Sequence, residues 1–265
     1  RWVRTARANE RGRLLAVPQP HRIRLADLSG IDEQAQRVEQ NTRQFVAGRS
    51  ANNVLLTGAR GTGKSSLVKA MLDRHADQGL RLIEVDKDDL VDLPEIVDLV
   101  AGRPERFIVF CDDLSFEAGE PGYKALKSVL DGSIAGVPDN LLIYATSNRR
   151  HLMPEYLDEN LAAHHVDGEV HPGETVEEKI SLSERFGLWL SFYPFDQDHY
   201  LAICALWLRE FGAMAEAAMD DDIRREALQW ALSRGSRSGR VAWQFARDYA
   251  GRQEAAPAPR RKRKS

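Results

Sequence analysis

The sequence has little of what defines several classes of protein. It contains two cysteines, Cys111 and Cys204, which argues against a framework of disulfide bonds and is consistent with a reducing compartment. No stretch approaches the ~18 apolar residues that a membrane-spanning helix needs, and no apolar segment follows the first arginines as in a signal peptide. No repeat with a period of about 20 to 50 residues is visible. We therefore expect a cytoplasmic protein with no membrane partner.

Charge is distributed unevenly along the chain. The formal net charge is −3, but residues 1–24 carry seven basic and one acidic side chain, and residues 252–265 carry six basic and one acidic side chain. The part between them is therefore strongly acidic. This pattern predicts a basic N-terminal extension over residues 1–24 and a basic, disordered tail over residues 252–265. The tail is either a solubilising segment or a contact for nucleic acid or another polyanion.

Residues 58–65 (GARGTGKS) fill every required position of the phosphate-binding loop G-x-x-x-x-G-K-[ST]. An apolar run at residues 53–57 precedes the loop as a buried strand would, and apolar residues at helical spacing follow it from Ser65. Backbone N–H groups, the positive end of that helix and the Lys64 ammonium would all favour a polyphosphate. The sequence predicts ATP binding here, with Ser65 as a ligand of Mg²⁺; the alternative is an ordinary glycine-rich turn. The predicted nucleotide contacts in this segment are Gly58, Ala59, Arg60, Gly61, Thr62, Gly63, Lys64, Ser65 and Ser66.

The distribution of apolar residues predicts two kinds of domain. Short apolar runs at residues 82–85, 107–111, 141–145 and 188–192 alternate with helical segments, which is typical of a parallel sheet with helices on both faces. From residue 195 onward, helical stripes alone are present. We therefore predict an α/β nucleotide-binding domain over residues 25–194 with a P-loop NTPase sheet, followed by a small helical lid domain over residues 195–251.

Two carboxylates end the apolar strand at residues 107–113 (FIVFCDD). In a phosphate site, Asp112 would hold Mg²⁺ through its water shell, and Asp113 would orient or deprotonate the attacking water. Asp113 departs from the glutamate expected at this position. Because an aspartate reaches one methylene less far than a glutamate, slow hydrolysis is one expectation and assistance from Glu117 or Glu120 is another. The alternative interpretation is that the pair only ends a strand and begins a turn.

The next predicted strand ends in a polar segment, residues 146–148 (TSN). This segment would lie between the carboxylates and the γ-phosphate, where Asn148 could hydrogen-bond both the phosphate and the attacking water. Thr, Ser and Asn also begin turns and cap helices, which is the alternative.

The order of these motifs resembles that of AAA+ ATPases with a helical lid. It comprises the phosphate loop, the DD strand, ATSN at residues 145–148, SERFG at residues 183–187 and GSRSGRVA at residues 235–242. The SERFG and GRVA motifs are similar to those of the Holliday-junction branch-migration motor. The phrases FCDDLSF, ATSNRRHL and SLSERFGLWLSFYPFDQ resemble more closely a bacterial family of stand-alone AAA+ ATPases of unassigned function, over roughly residues 25–250.

The resemblance implies further site residues. Arg185 matches the arginine finger that one subunit inserts into its neighbour's site, so a homo-oligomer is expected. Arg240 matches the lid arginine that senses the γ-phosphate, with Arg237 as the alternative, because a guanidinium stays charged and presents a planar set of donors. Leu28 and Ile31 match the segment that contacts adenine.

Several functions are compatible with these motifs. The first is an ATPase that couples Mg-ATP hydrolysis to the remodelling of an unidentified protein or nucleic-acid partner. The second is a binding module that hydrolyses ATP slowly and switches partners. A nucleic-acid motor or loader is favoured by the basic termini and disfavoured by the acidic middle. A GTPase is disfavoured because no [NT]-K-x-D motif follows the DD strand, and a small-molecule kinase would leave the SERFG and GSRSGRVA motifs unexplained.

Overall fold

The computed structural model describes residues 1–4, 12–20, 22–116, 120–132, 138–149, 164–166, 169–171, 182–215 and 219–254. The chain divides into two compact units, the first formed by Arg1–Ala59 and Lys64–Phe192 and the second by Arg60–Gly63 and Tyr193–Ser265. The predicted disordered tail extends from the end of the last helix into residues 255–265, which lie outside the described part. The domain boundaries given above stay predictions.

The first unit contains both strands and helices. Its strands are β1 (Trp2–Val3), β2 (Arg13–Leu14), β3 (Val54–Gly58), β4 (Leu80–Glu84), β5 (Arg106–Cys111), β6 (Leu141–Ser147), β7 (His164–Val166), β8 (Glu169–His171) and β9 (Leu188–Phe192). Its α-helices are α1 (Asp32–Val46), α2 (Lys64–His75), α3 (Leu93–Val100) and α4 (Pro121–Asp131), with 3-10 helices at Leu25–Asp27, Ala76–Gln78 and Lys87–Asp92.

A five-stranded parallel sheet forms the centre of this unit. The strand order is β4-β5-β6-β3-β9, and every neighbouring pair is parallel. Strands β3, β5 and β6 are buried along almost their whole length, which explains why each reads as a continuous apolar run instead of an alternating one. The predicted α/β fold with a parallel P-loop NTPase sheet is confirmed.

The basic N-terminal segment contains one buried residue, whose burial its composition does not predict. The Trp2 side chain is only 1% exposed and belongs to the main core cluster of the first unit. Its ring packs so closely on Gly12 that a Cβ at that position would lie 2.0 Å from a ring carbon. The indole N–H donates to Asp92 at 3.1 Å, and the Arg4 guanidinium contacts the same carboxylate at 2.9 Å. The first residues are therefore packed against the Lys87–Asp92 turn.

The second unit is helical in the residues that the structure describes. It consists of α5 (Gln197–Glu210), α6 (Asp221–Ser233) and α7 (Gly239–Glu254), around a core that includes Tyr200 and Phe245. Aspartate side chains begin the first two helices: Asp196 accepts from the His199 N–H and Asp220 from the Ile223 N–H, both at 2.8 Å. The predicted helical C-terminal part is confirmed. None of the helices in the described residues combines the length and the apolar composition required to cross a bilayer.

His75, at the end of α2, predicts how stability depends on pH. The residue is buried, with Nε2 3.7 Å from a Glu39 oxygen, and burial lowers the pKa of His75 below its usual 6.5. The unfolded chain therefore binds the proton more readily, so the stability contributed by neutral His75 is complete above pH 6.5 and is lost as pH falls towards the folded-state pKa. Urea unfolding at pH 7.5, 6.5 and 5.5 should show this loss for the wild type. His75→Leu should flatten it; a slope equal to that of the wild type would contradict the assignment.

Candidate nucleotide-binding site

The sheet brings three polar strand ends to one edge. Strands β5, β6 and β3 are consecutive neighbours and parallel, so their carboxyl ends lie side by side. The phosphate-loop sequence follows β3, the two carboxylates follow β5, and Thr146–Asn148 end and follow β6. In open parallel sheets, ligands bind outside the carboxyl ends of the strands. This edge is therefore the candidate site.

Gly58 begins the loop in a conformation that only glycine adopts easily. Its φ is 118°, and an added Cβ would lie 2.0 Å from the carbonyl oxygen of Phe192 on β9. The same carbonyl accepts a hydrogen bond from the Ala59 N–H at 3.0 Å. Close approach of two backbones therefore sets the direction in which the chain leaves β3.

Replacing Gly58 by alanine should test this approach. The variant combines an unfavourable φ with overlap between Cβ and a backbone oxygen, so we expect it to lower the free energy of unfolding by on the order of 3 kcal/mol. Gly79 is the matched control: its φ is also positive, at 92°, but nothing lies within 4 Å of an added Cβ. Gly79→Ala should therefore cost about 1 kcal/mol. Equal losses in urea unfolding would contradict the close approach.

The middle of the loop, residues 60–63, belongs to the second unit. The Gly239 N–H, at the first residue of α7, donates to the Gly61 carbonyl at 2.8 Å. Gly61 has a φ of 73°, and a Cβ on it would lie 2.8 Å from the Ser238 Cβ and 3.7 Å from the Arg240 Cβ. Two of the predicted site residues, Gly61 and Arg240, are thus neighbours within this unit.

Lys64 is buried at the first residue of α2. It is 5% exposed, and its ammonium donates to the carbonyls of Gly58 at 2.8 Å and Ala59 at 2.7 Å and to the Asn148 Oδ1 at 3.1 Å. These acceptors are neutral oxygens, weaker partners for a cation than the anionic oxygens of a phosphate. The ammonium is therefore held inside the loop, beside the predicted Asn148.

Ser65 and Asp112 converge on one point although 47 residues separate them. The Ser65 hydroxyl donates to the Asp112 Oδ1 at 2.6 Å. A hydroxyl and a carboxylate oxygen are hard ligands of the kind that Mg²⁺ prefers. Cys111, immediately before Asp112, is fully buried, and burial together with the adjacent carboxylate raises the pKa of its thiol to about 12. The thiol therefore stays protonated and serves as packing.

Asp113 and Asn148 also meet at this edge. The Asn148 amide donates to the Asp113 Oδ1, and its Oδ1 accepts from Lys64 at 3.1 Å. Asp113 is exposed, and its φ of 53° makes it the one non-glycine residue with a positive φ among those the structure describes. Its carboxylate is thus accessible, and it is held by the side chain of the residue that follows β6.

Thr146 is also part of the candidate site; its segment was predicted to lie there, but a role was predicted only for Asn148. Its hydroxyl donates to the Asp112 Oδ1 at 2.6 Å and accepts the Asp113 N–H at 2.9 Å, while its side chain is buried. A signal was present in the sequence, because side chains alternate along a strand and positions 146 and 148 share one side. Ser147, on the other side, donates instead to the Leu114 carbonyl at 2.7 Å.

Arg185 lies after a helical turn at residues 182–184 and is partly buried. Its guanidinium contacts the carboxylate of Asp131, the last residue of α4. The contact pairs the proposed arginine finger with an acidic residue of its own chain. Whether Arg185 reaches a neighbouring subunit stays a prediction.

The other predicted residues have simpler surroundings. Ile31, 4% exposed, immediately precedes α1, and Leu28 follows the Leu25–Asp27 turn and is partly buried. Ser66 lies in the first turn of α2. Arg60, Arg237 and Arg240 are exposed. Of the two residues expected to assist Asp113, Glu117 lies outside the described residues and Glu120 forms an ion pair with Lys87 at 2.9 Å.

Solved structures with the same fold are AAA+ P-loop ATPases. The RuvB Holliday junction branch migration motor of Thermotoga maritima matches with a TM-score of 0.52 and 15% identity, over 88% of this chain and 66% of that one. The ORC1 protein of Aeropyrum pernix, solved in complex with DNA, matches with a TM-score of 0.60 and 16% identity, over 87% and 62%. The FIGL-1 AAA domain, solved in complex with ADP, matches with a TM-score of 0.54 and 16% identity, over 88% and 75%.

Sequence comparison gives the family directly. No curated protein matches the chain. One family model, described as "Protein of unknown function (DUF815)", matches residues 1–253, almost the whole chain. At identities near 15%, the solved structures above show the fold. The chain therefore belongs to the DUF815 family, and its fold is that of the AAA+ P-loop ATPases.

Proposed function

We propose that the chain binds ATP with Mg²⁺ and hydrolyses it in a homo-oligomer, in order to remodel or switch a macromolecular partner. The observation that carries the proposal is the convergence of Lys64, Ser65, Asp112, Asp113 and Asn148 at one sheet edge from three separate segments. A cation, two carboxylates, a hydroxyl and an amide are the groups that phosphoryl transfer to water requires. The FIGL-1 structure, solved with ADP, gives a nucleotide-bound example of the fold.

Binding would begin with an exchange of hydrogen bonds at Lys64. Its ammonium donates to the carbonyls of Gly58 and Ala59 and to Asn148, and anionic phosphate oxygens would replace these neutral acceptors. Ser65 and Asp112 would hold Mg²⁺, which when bound neutralises charge on the phosphate oxygens. Leu28 and Ile31 are the proposed contacts of the base.

Hydrolysis would depend on Asp113 and Asn148. Asp113 would accept a proton from the attacking water or orient it, and Asn148 would hold the carboxylate in place. Arg240, or alternatively Arg237, would sense the γ-phosphate within the same chain. Arg185 would leave Asp131 and stabilise the charge that develops in the neighbouring subunit's site.

Phosphate release from purified protein tests the proposal. We expect Mg-dependent release of phosphate from ATP by the wild type and none above background for Lys64→Ala. Lys69, on the same helix and paired with Glu84 at 3.6 Å, provides the matched control. Lys69→Ala should release phosphate at the wild-type rate; equal loss in both variants would contradict a specific role for Lys64.

A second candidate is a binding module that responds to nucleotide without rapid turnover. It is favoured by one observation, the aspartate at 113, whose side chain is shorter than a glutamate's. ATP binding without phosphate release, with or without a partner, would select this candidate.

A nucleic-acid motor or loader is the sharper version of the ATPase. RuvB is described as a branch migration motor, and ORC1 was solved with DNA. In that version, added DNA or RNA should stimulate phosphate release, and binding should weaken steeply with salt. A flat response to both would reject it.

A further inference from the structure

We infer that Thr146 is a positioning residue for hydrolysis: it holds Asp113 in a left-handed turn to which aspartate, and not glutamate, is fitted. The inference rests on the proposed function and deepens it. It concerns Asp113, the residue that departs from the glutamate expected at this place.

The Thr146 hydroxyl lies between the two carboxylate residues. It accepts the Asp113 N–H at 2.9 Å and donates to the Asp112 Oδ1 at 2.6 Å. One hydroxyl therefore fixes the backbone of one aspartate and the side chain of the other. Valine has the same shape and could do neither, whereas serine could do both.

The hydroxyl also closes a ring of hydrogen bonds around the site. From Lys64 the ring passes to Asn148, to the Asp113 carboxylate and then through the Asp113 N–H to Thr146. From Thr146 it returns through Asp112 to Ser65, the neighbour of Lys64 in the chain. Each strand end is thus oriented by the other two. Loss of the buried Thr146 hydroxyl would remove its hydrogen bonds to the Asp113 N–H and to Asp112, and the ring would be interrupted there.

The backbone at Asp113 explains why Thr146 is needed. A φ of 53° is in the left-handed region, which L-residues other than Asn and Asp seldom adopt. The next residue is also held, because the Leu114 N–H donates to the Thr146 carbonyl at 2.7 Å and Ser147 donates to the Leu114 carbonyl at 2.7 Å. The end of β6 therefore fixes the turn after β5 on both sides of Asp113.

The same turn accounts for the short side chain. Asp113 reaches Asn148 from the left-handed backbone, and its carboxylate remains exposed. A glutamate at this position would be less compatible with the left-handed backbone. Its carboxylate would lie one methylene further from the backbone than the position at which Asn148 donates to Asp113. Since a misplacement of about 1 Å can lower turnover on the order of 100-fold, glutamate should be a poor substitute here.

The experiment compares Thr146→Val, Thr146→Ser and Asp113→Glu with a matched control. Thr42 is another fully buried threonine of the same unit, whose hydroxyl donates to the Val38 carbonyl at 2.8 Å and contacts the Tyr144 hydroxyl at 2.8 Å. Thr42→Val therefore removes a buried hydroxyl without touching the ring. Phosphate release, calorimetric ATP affinity and hydrogen exchange of the Asp113 amide in the nucleotide-free protein are measured for each.

We expect Thr146→Val to lower kcat on the order of 100-fold with ATP affinity changed by less than about threefold. Exchange of the Asp113 amide should accelerate about tenfold or more, because its acceptor is gone. Thr146→Ser and Thr42→Val should retain both the wild-type kcat and the slow exchange. Asp113→Glu should lower kcat, on the order of tenfold or more, instead of raising it.

The inference would be overturned if the Asp113 amide of Thr146→Val exchanged as slowly as that of the wild type, or if Thr146→Val had the same kcat as Thr42→Val. An Asp113→Glu variant that hydrolyses ATP at least as fast as the wild type would also overturn it. A wild type that releases no phosphate would contradict the proposed function instead. The exchange measurement would still decide, in that case, whether Thr146 holds the turn.

Discussion

Replacing Asp113 by asparagine is expected to lower the rate of ATP hydrolysis on the order of 1000-fold, because the amide has the shape of the carboxylate without its basicity. Asparagine also tolerates the left-handed backbone, which has a φ of 53° here, and its oxygen can still accept from Asn148. The geometry of the site should therefore survive while proton transfer is lost. ATP affinity should stay within about threefold of the wild type, since Asp113 donates nothing to the phosphates.

Single-turnover hydrolysis and calorimetry separate the two effects. The control is Asp139→Asn, which neutralises an exposed aspartate just before β6 begins, at the other end of that strand. It should hydrolyse ATP like the wild type. If Asp113→Asn keeps more than about a tenth of the wild-type rate, Asp113 is not the base.

Mixing two inactive variants should restore activity if Arg185 acts across a subunit boundary. Arg185→Ala is expected to lower hydrolysis on the order of 1000-fold, the effect of removing an arginine finger. Lys64→Ala should weaken ATP binding in its own subunit on the order of 100-fold but retains Arg185. With random mixing in equal amounts, about one quarter of the interfaces pair an intact Lys64 with an intact Arg185, and activity should return to that fraction.

Arg81 supplies the control for this experiment, and Asp131 is the present partner of Arg185. Arg185 contacts Asp131 within its own chain. If its guanidinium moved to the neighbouring subunit's site, it would exchange the Asp131 carboxylate for the phosphate of ATP. Arg81 donates to the Ala76 and Leu80 carbonyls at 3.0 and 2.8 Å, near the start of β4 and away from the carboxyl ends. Arg81→Ala should hydrolyse ATP at the wild-type rate by itself, without being mixed with a second variant. A mixture no more active than its components would contradict the shared site.

The sequence predicted the strands of the central sheet because each is an apolar run, and the run at residues 188–192 coincides with β9. The end of β6, where the run becomes polar, was misplaced. The prediction for β6 stopped at residue 145, but the strand extends to Ser147. Thr146 and Ser147 are buried because Asp112 and the Leu114 carbonyl accept from their hydroxyls. A pattern of hydrophobicity does not show that these hydroxyls find hydrogen-bond acceptors, because the acceptors follow the neighbouring strand.

The residues of the candidate site were predicted from motifs, whereas the contacts between them depend on the fold. Lys64 and Asn148 are 84 residues apart, and only the adjacency of β3 and β6 makes their contact possible. The left-handed backbone of Asp113 could not be predicted either, since aspartate adopts both right-handed and left-handed backbone conformations.

Two packing features were also beyond sequence patterns. Trp2 lies in a segment whose composition is basic, and its burial depends on Gly12 and Asp92, which the sequence does not connect to it. The packing of Gly61 against Ser238 depends on the end of the α6–α7 connection, 177 residues later in the chain, meeting the loop. Such contacts are set by tertiary structure.

Titration calorimetry of ATP with Mg²⁺ tests the central claim, that this sheet edge is a phosphate site centred on Lys64. The account predicts saturable heat with one ATP per chain and a Kd between about 1 μM and 1 mM for the wild type and Lys69→Ala. For Lys64→Ala it predicts binding on the order of 100-fold weaker, the loss of charge-assisted hydrogen bonds. No heat with folded wild type, or equal affinity in Lys64→Ala, would contradict it.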